Sequence, residues 1–179
     1  MNGSDIRFQT MNSKTRFSDQ VDFRTPPYLF EYIKSLCGRV DYDGACFPDG
    51  SNALATPLRL ENEWPNGVIY SNPPFDDDSI IKWIKKGFQH SQRAEGNVHI
   101  MVIPNKLNHV KIQKQALHLV DHIIFLGGRV NFISEYSTKG GASRNGSVIL
   151  IQDFNKCQPK STFEYVLLSN LKEIFEVKK

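Results

Sequence analysis

The chain has 179 residues, 40% of them apolar, which is the size of one ordinary globular domain able to bury a core. Twenty-two Lys and Arg stand against nineteen Asp and Glu, and a formal charge of +3 excludes a protein that coats nucleic acid indiscriminately while permitting a selective nucleic-acid partner. Three cysteines without CxxC spacing argue against a disulfide framework or a structural zinc site, and no apolar run is long enough to span a bilayer.

Residues 1–21 are polar and without period, and they read as a flexible tail ahead of a single domain over 22–179. Met1–Thr10 lacks the apolar stretch of a secretory signal, so a soluble cytoplasmic chain is expected. Leu29, Phe30, Ile33 and Leu36 recur at helical spacing behind Thr25-Pro26-Pro27, which predicts a helix over Pro27 to Leu36. Arg39 to Cys46 reads as a short strand entering a loop crowded with Gly, Pro, Asp, Ser and Asn.

Val68-Ile69-Tyr70 is β-prone and stops at Ser71-Asn72-Pro73-Pro74-Phe75, because two prolines cannot continue a ladder. Asp76 to Ser79 supply caps for a helix carrying Ile80, Ile81, Trp83, Ile84 and Phe88, with Lys82, Lys85 and Lys86 as its solvated face. Val98 to Pro104 and His122 to Leu126 have the continuous apolar character of buried strands, with a helix expected over Lys106 to Leu119 between them. A final strand over Ser147 to Gln152 and a helical tail over Ser161 to Lys179 complete the pattern. Alternating strands and helices predict a doubly wound α/β sheet that binds ligands beyond the C-terminal strand ends, where Asn72 would lie.

The Asn72-Pro73-Pro74-Phe75 turn has the chemistry to hold an amine. Its prolines are rigid and lack N–H donors, so the Pro73 carbonyl and the Asn72 side-chain oxygen can accept from one NH2 group. Accepting both hydrogens pushes a conjugated amine nitrogen toward a tetrahedral geometry whose lone pair can attack. Phe75 offers a flat face for a base, a stacking contact worth about 1–3 kcal/mol. His118 and His122 stand four apart but have no third ligand nearby, and no metal is expected.

With this turn in place, the chain resembles the phage-type, Dam-like DNA N6-adenine methyltransferases, a compact branch of the Rossmann-like enzymes that use S-adenosylmethionine. The resemblance covers roughly Asp22 to Asp153. It rests on Asp22-Phe23-Arg24-Thr25-Pro26, on Asp41-Tyr42-Asp43-Gly44-Ala45-Cys46 with Asn52 following, on Asn72-Pro73-Pro74-Phe75, and on Gly128-Arg129-Val130-Asn131-Phe132. It implies methyl transfer from S-adenosylmethionine to the N6 amine of adenine in double-stranded DNA. Thr25, Pro26, Asp43, Ala45 and Asn52 would line the cofactor pocket, and Asn72 to Phe75 would hold a flipped base. Arg129, with Lys139, Arg144 and Asn145 in the glycine-rich loop, would contact DNA.

Phe23 and Phe75 stand where the family often has tryptophan and tyrosine, and both keep an aromatic face. No GxG turn is present, and about thirty residues separate Asp43 from Asn72, so a reduced sheet is expected. Two other functions are compatible with the turn: methylation of guanine N2 in RNA or of a protein amide, and a catalytically inactive relative that binds DNA or protein. A monomer or weak homodimer is expected, acting in the cytoplasm of a host if the gene is phage-borne, where it would protect DNA from restriction.

Overall fold

The computed structural model describes residues 24–46, 50, 53–133, 141–142, 146–153 and 162–175. The expected tail over 1–21 and the loop residues Asn52, Lys139, Arg144 and Asn145 lie outside them. The described strands build a seven-stranded mixed sheet with helices on both faces.

In chain order the elements are α1 (Pro27–Cys37), β1 (Tyr42–Asp43), β2 (Thr56–Pro57), β3 (Val68–Ser71), α2 (Asp77–Ser91) and β4 (Val98–Pro104). They continue with α3 (Val110–Gln115), a 3-10 turn (Leu117–Leu119), β5 (His122–Gly127), β6 (Asn131–Phe132), β7 (Gly141–Ala142), β8 (Ser147–Asp153), β9 (Thr162–Leu167) and α4 (Leu168–Phe175). The sheet order is β2-β1-β3-β4-β8-β5-β9, and β6 and β7 pair separately. Among the described strands of the seven-stranded sheet, β8 alone runs against its neighbours, β4 and β5.

Period-two alternation in the central strands sorts side chains between two cores. Val68, Tyr70, Val98, Ile100, Val102, Ile149 and Ile151 meet Leu29, Phe30 and Ile33 of α1 and Leu168 and Leu171 of α4. Ile69, Met101, Ile103, Ile123, Val148 and Leu150 meet Ile80, Ile81, Trp83 and Ile84 of α2 and Ile112 of α3. The doubly wound expectation is thereby met.

Local chemistry sets the ends of the helices. Pro27 opens α1, and Gly38, at φ 76, closes it in the left-handed conformation that glycine adopts without a Cβ penalty. Asp76 caps α2, accepting from the Ser79 N–H at 2.8 Å.

Three expectations need correction. The helix expected over Lys106 to Leu119 is broken into α3 and a 3-10 turn, because Ala116 leaves helical geometry at φ −145. His118 therefore sits in that turn and His122 in β5, so they do not share a helix face. The tail is not one helix and Ser147–Asp153 is not the last strand. Thr162–Leu167 pairs in parallel with β5 before α4 begins, because the open edge of β5 offers ladder partners that outweigh the helical spacing.

The reduction of the sheet is local. Among the described residues between Asp43 and Asn72, the strands are the two-residue β2 and the four-residue β3, and Pro57 is tolerated in β2 because that strand is an edge. On the solvated face of α2, Lys86 departs from simple solvation, donating to the Asn62 carbonyl at 3.0 Å and lying over the Trp64 ring.

Candidate active site at the C-terminal end of β3

The chain leaves β1 toward β2 on one side and leaves β3 through α2 toward β4 on the other. The crevice between the C-terminal ends of β1 and β3 is thus a topological switch point, where open α/β sheets bind ligands. Asp43 ends β1, in register with Tyr70, and Asn72 directly follows the last residue of β3.

Tyr70 ties the motifs together. Its hydroxyl is hydrogen-bonded to the Thr25 hydroxyl, and its carbonyl accepts from the Gly44 N–H at 2.7 Å. Thr25, Tyr70 and Asp43 are 3%, 1% and 5% exposed, so three separate sequence motifs meet in a nearly dry cluster. Burial, with the Asp43 charge nearby, holds the Tyr70 phenol well above its usual range, so it stays protonated.

Asp43 is not an exposed loop carboxylate. Its oxygens accept from the Ala45 N–H at 3.2 Å and the Leu54 N–H at 3.0 Å, clasping both arms of the loop between them. Burial raises its pKa and those two backbone donors partly counter the rise. Among the described residues no Lys, Arg or His forms an ion pair with it.

Pro73 is buried, Pro74 exposed, and Asn72 and Phe75 half-buried. The Phe75 ring lies 5.6 Å from that of Phe132, tilted by 58°. Phe132 belongs to the Gly128–Phe132 segment, and the next residue, Ile133, exchanges two backbone hydrogen bonds with Arg24 at 2.8 and 2.9 Å. The late segment therefore folds back toward both the proline turn, through Phe132, and Arg24, through Ile133. Arg129 is exposed just beyond the C-terminal end of β5, which runs parallel to β4 and so ends on the same edge of the sheet as Asn72.

Thr25, Pro26, Asp43, Ala45 and the Asn72–Phe75 turn are gathered at or beside the ends of β1 and β3. Arg129 stands along the same edge, three strands away from the turn. Sequence reasoning missed Tyr70 as the hub, and it missed Ser71, His99 and Gln152, which form a buried polar chain. Their signal was available: His99 and Gln152 are polar interruptions in otherwise apolar strands.

The chain matches the model of the family described as DNA N-6-adenine-methyltransferase (Dam) over residues 12–177. Over 78 residues it is also 35% identical to the large ribosomal subunit protein bL25 of Geobacter metallireducens, covering 44% of this chain and 38% of that protein. The chain thus spans well under half the length of that curated relative, and so local a match carries no role to this site. The family match, by contrast, takes in every strand of the sheet and the whole Asn72 turn, and the chain belongs to the DNA N-6-adenine-methyltransferase (Dam) family.

Proposed function

We propose that this chain transfers a methyl group from S-adenosylmethionine to the N6 amine of adenine in double-stranded DNA. The carrying observation is the placement of Asn72-Pro73-Pro74-Phe75 at the switch point, immediately after β3 and beside the buried Asp43 carboxylate.

The residues fit the cofactor. Among the described residues, this nearly buried carboxylate is held by two backbone N–H groups, an environment that a cation or hydroxyl donors would complete, and the ammonium or ribose of S-adenosylmethionine would do so. Asp43 would accept from it. Thr25, Pro26 and Ala45 would form the walls, since the Thr25 hydroxyl and the Ala45 N–H are already engaged. Asn52 would contribute from the loop. Bound there, the cofactor supplies an electrophilic methyl on sulfonium.

The protein's part is positioning. A base inside a duplex must be extruded to reach the turn. Its amine would donate to the Asn72 side-chain oxygen and the Pro73 carbonyl, freeing the nitrogen lone pair to take the methyl group from sulfur, and the methylated nitrogen would then lose its extra proton to water. Pro74 keeps the turn rigid and Phe75 provides a stacking face, itself supported by Phe132. Arg129, Lys139, Arg144 and Asn145 would meet phosphates and base edges, which should appear as a salt-dependent affinity.

Incubation with isotopically labelled S-adenosylmethionine and unmethylated duplex DNA, followed by digestion to nucleosides, tests the reaction. Labelled N6-methyladenine from the wild type and none from Asn72→Ala is the expected result. Label in RNA or protein instead would reassign the acceptor, and absence of cofactor binding by calorimetry would make the chain a non-catalytic relative. The phage-type resemblance extends the reading to protection of DNA from restriction in a host cytoplasm. Resistance of the modified DNA to a methylation-sensitive endonuclease tests that role, and light scattering tests for a monomer or weak homodimer.

A further inference from the structure

On the face of the sheet toward α2, a continuous polar chain crosses three adjacent strands among apolar neighbours. Ser71 of β3, His99 of β4 and Gln152 of β8 are at most 1% exposed. The Gln152 amide nitrogen donates to two carbonyls, Ile84 at 2.9 Å and Leu119 at 2.7 Å. That orientation leaves its oxygen as the acceptor for His99 Nδ1–H at 2.9 Å. His99 Nε2 is then an acceptor, and the Ser71 hydroxyl donates to it at 2.8 Å. Every donor and acceptor in the chain has one assignment.

Stability alone does not account for this arrangement. Replacing a buried hydrogen-bonded set with apolar groups of similar shape is often neutral, whereas each polar member is costly if its partner slips. The neighbouring helix is also shaped to admit it. A Cβ on Gly87, within α2, would lie 1.8 Å from His99 Nδ1 and 2.3 Å from Gln152 Oε1, so the helix carries glycine at a helix-weakening position. The Trp64 ring packs beside that of His99, 5.2 Å between centroids.

One end of the chain is anchored on the rigid carbonyls of α2 and the 3-10 turn, and the other ends on the residue before Asn72. On the opposite face of the same strand the preceding residue, Tyr70, is held by Thr25. We infer that Ser71 is a positioning residue: through His99 and Gln152 it fixes the exit direction of β3 and thereby the Asn72 carboxamide, without touching the substrate. This rests on the proposed methyl transfer at Asn72.

Ser71→Ala removes the hydroxyl and leaves the rest of the chain in place, and Ser71→Cys, nearly isosteric with a weak donor, serves if the alanine variant does not fold. Ser71→Ala should lower kcat five-fold or more while cofactor Kd stays within two-fold. Backbone amides of Tyr70, Ser71 and Asn72 should exchange hydrogen at least ten-fold faster, with those of Ile123 to Phe125 in β5 unchanged. A smaller fall in kcat, a matching loss of cofactor affinity, or faster exchange throughout the sheet would overturn the inference. If the wild type methylates no DNA, the functional reading fails, and the exchange pattern alone still decides whether Ser71 positions Asn72.

Discussion

Two regions of the sheet, the C-terminal end of β3 and the β9 edge, treat polarity in opposite ways. At the end of β3, hydroxyls, an imidazole and a carboxamide are buried and mutually satisfied around the proline turn. At the β9 edge, Phe163 and Tyr165 are each 67% exposed and Leu167 45%, with the Phe163 ring stacked on Phe125 at 6.3 Å. The contrast shows where geometry is specified. Buried polar groups accept few arrangements, whereas exposed aromatic side chains on an edge strand tolerate many.

The hardest test of that contrast is Asn72→Ala, which should lower methyl transfer by about 10²–10³-fold or more, the loss expected when one preorganised polar group at the reacting centre is removed. Cofactor affinity measured by calorimetry should change little. Retained activity would deny the turn its role.

Acid should weaken the β3 end in particular. Burial pushes the His99 pKa down to about 4 from an ordinary 6.5. Between those values the unfolded chain binds a proton that the folded chain refuses, so stability falls as pH drops from 6.5 toward 4, by up to about 1.4 kcal/mol per pH unit. Denaturant midpoints across that range should show the slope in the wild type and lose much of it in His99→Phe.

Gly87→Ala sharpens the same point, since a gain in helix propensity of about 1 kcal/mol competes with overpacking against His99 that typically costs about 1–3 kcal/mol. Net destabilisation is expected in thermal melts, and stabilisation would mean that the chain yields easily. Tyr70→Phe, which leaves the Thr25 hydroxyl without its partner, should cost about 1–2 kcal/mol. At the β9 edge, Phe163→Ser should cost no more than about 1 kcal/mol and leave methyl transfer unchanged.

Much of the β3 end is legible in the sequence. Strand and helix over Val68 to Pro104 follow from period and capping, because apolar runs and Asp76 act through neighbours close in sequence. The proline turn is likewise local, since prolines stop a strand wherever they occur. The helical reading of Ser161 to Lys179 failed because Phe163, Tyr165 and Leu167 satisfy an alternating period as readily, and only the free edge of β5 selects between them.

From the sequence alone came the strand–helix–strand succession from Val68 to Pro104, the amine-holding turn, and the motifs that mark the family. Tertiary structure alone decided that Asp43 is buried and clasped, that Tyr70 joins Thr25 to β1, and that Ser71, His99 and Gln152 form one chain. These pairings join residues far apart in sequence, Ser71 to His99 and His99 to Gln152, through side chains on one face of three neighbouring strands. Strand order and register place them together, and neither is encoded by any short stretch of residues.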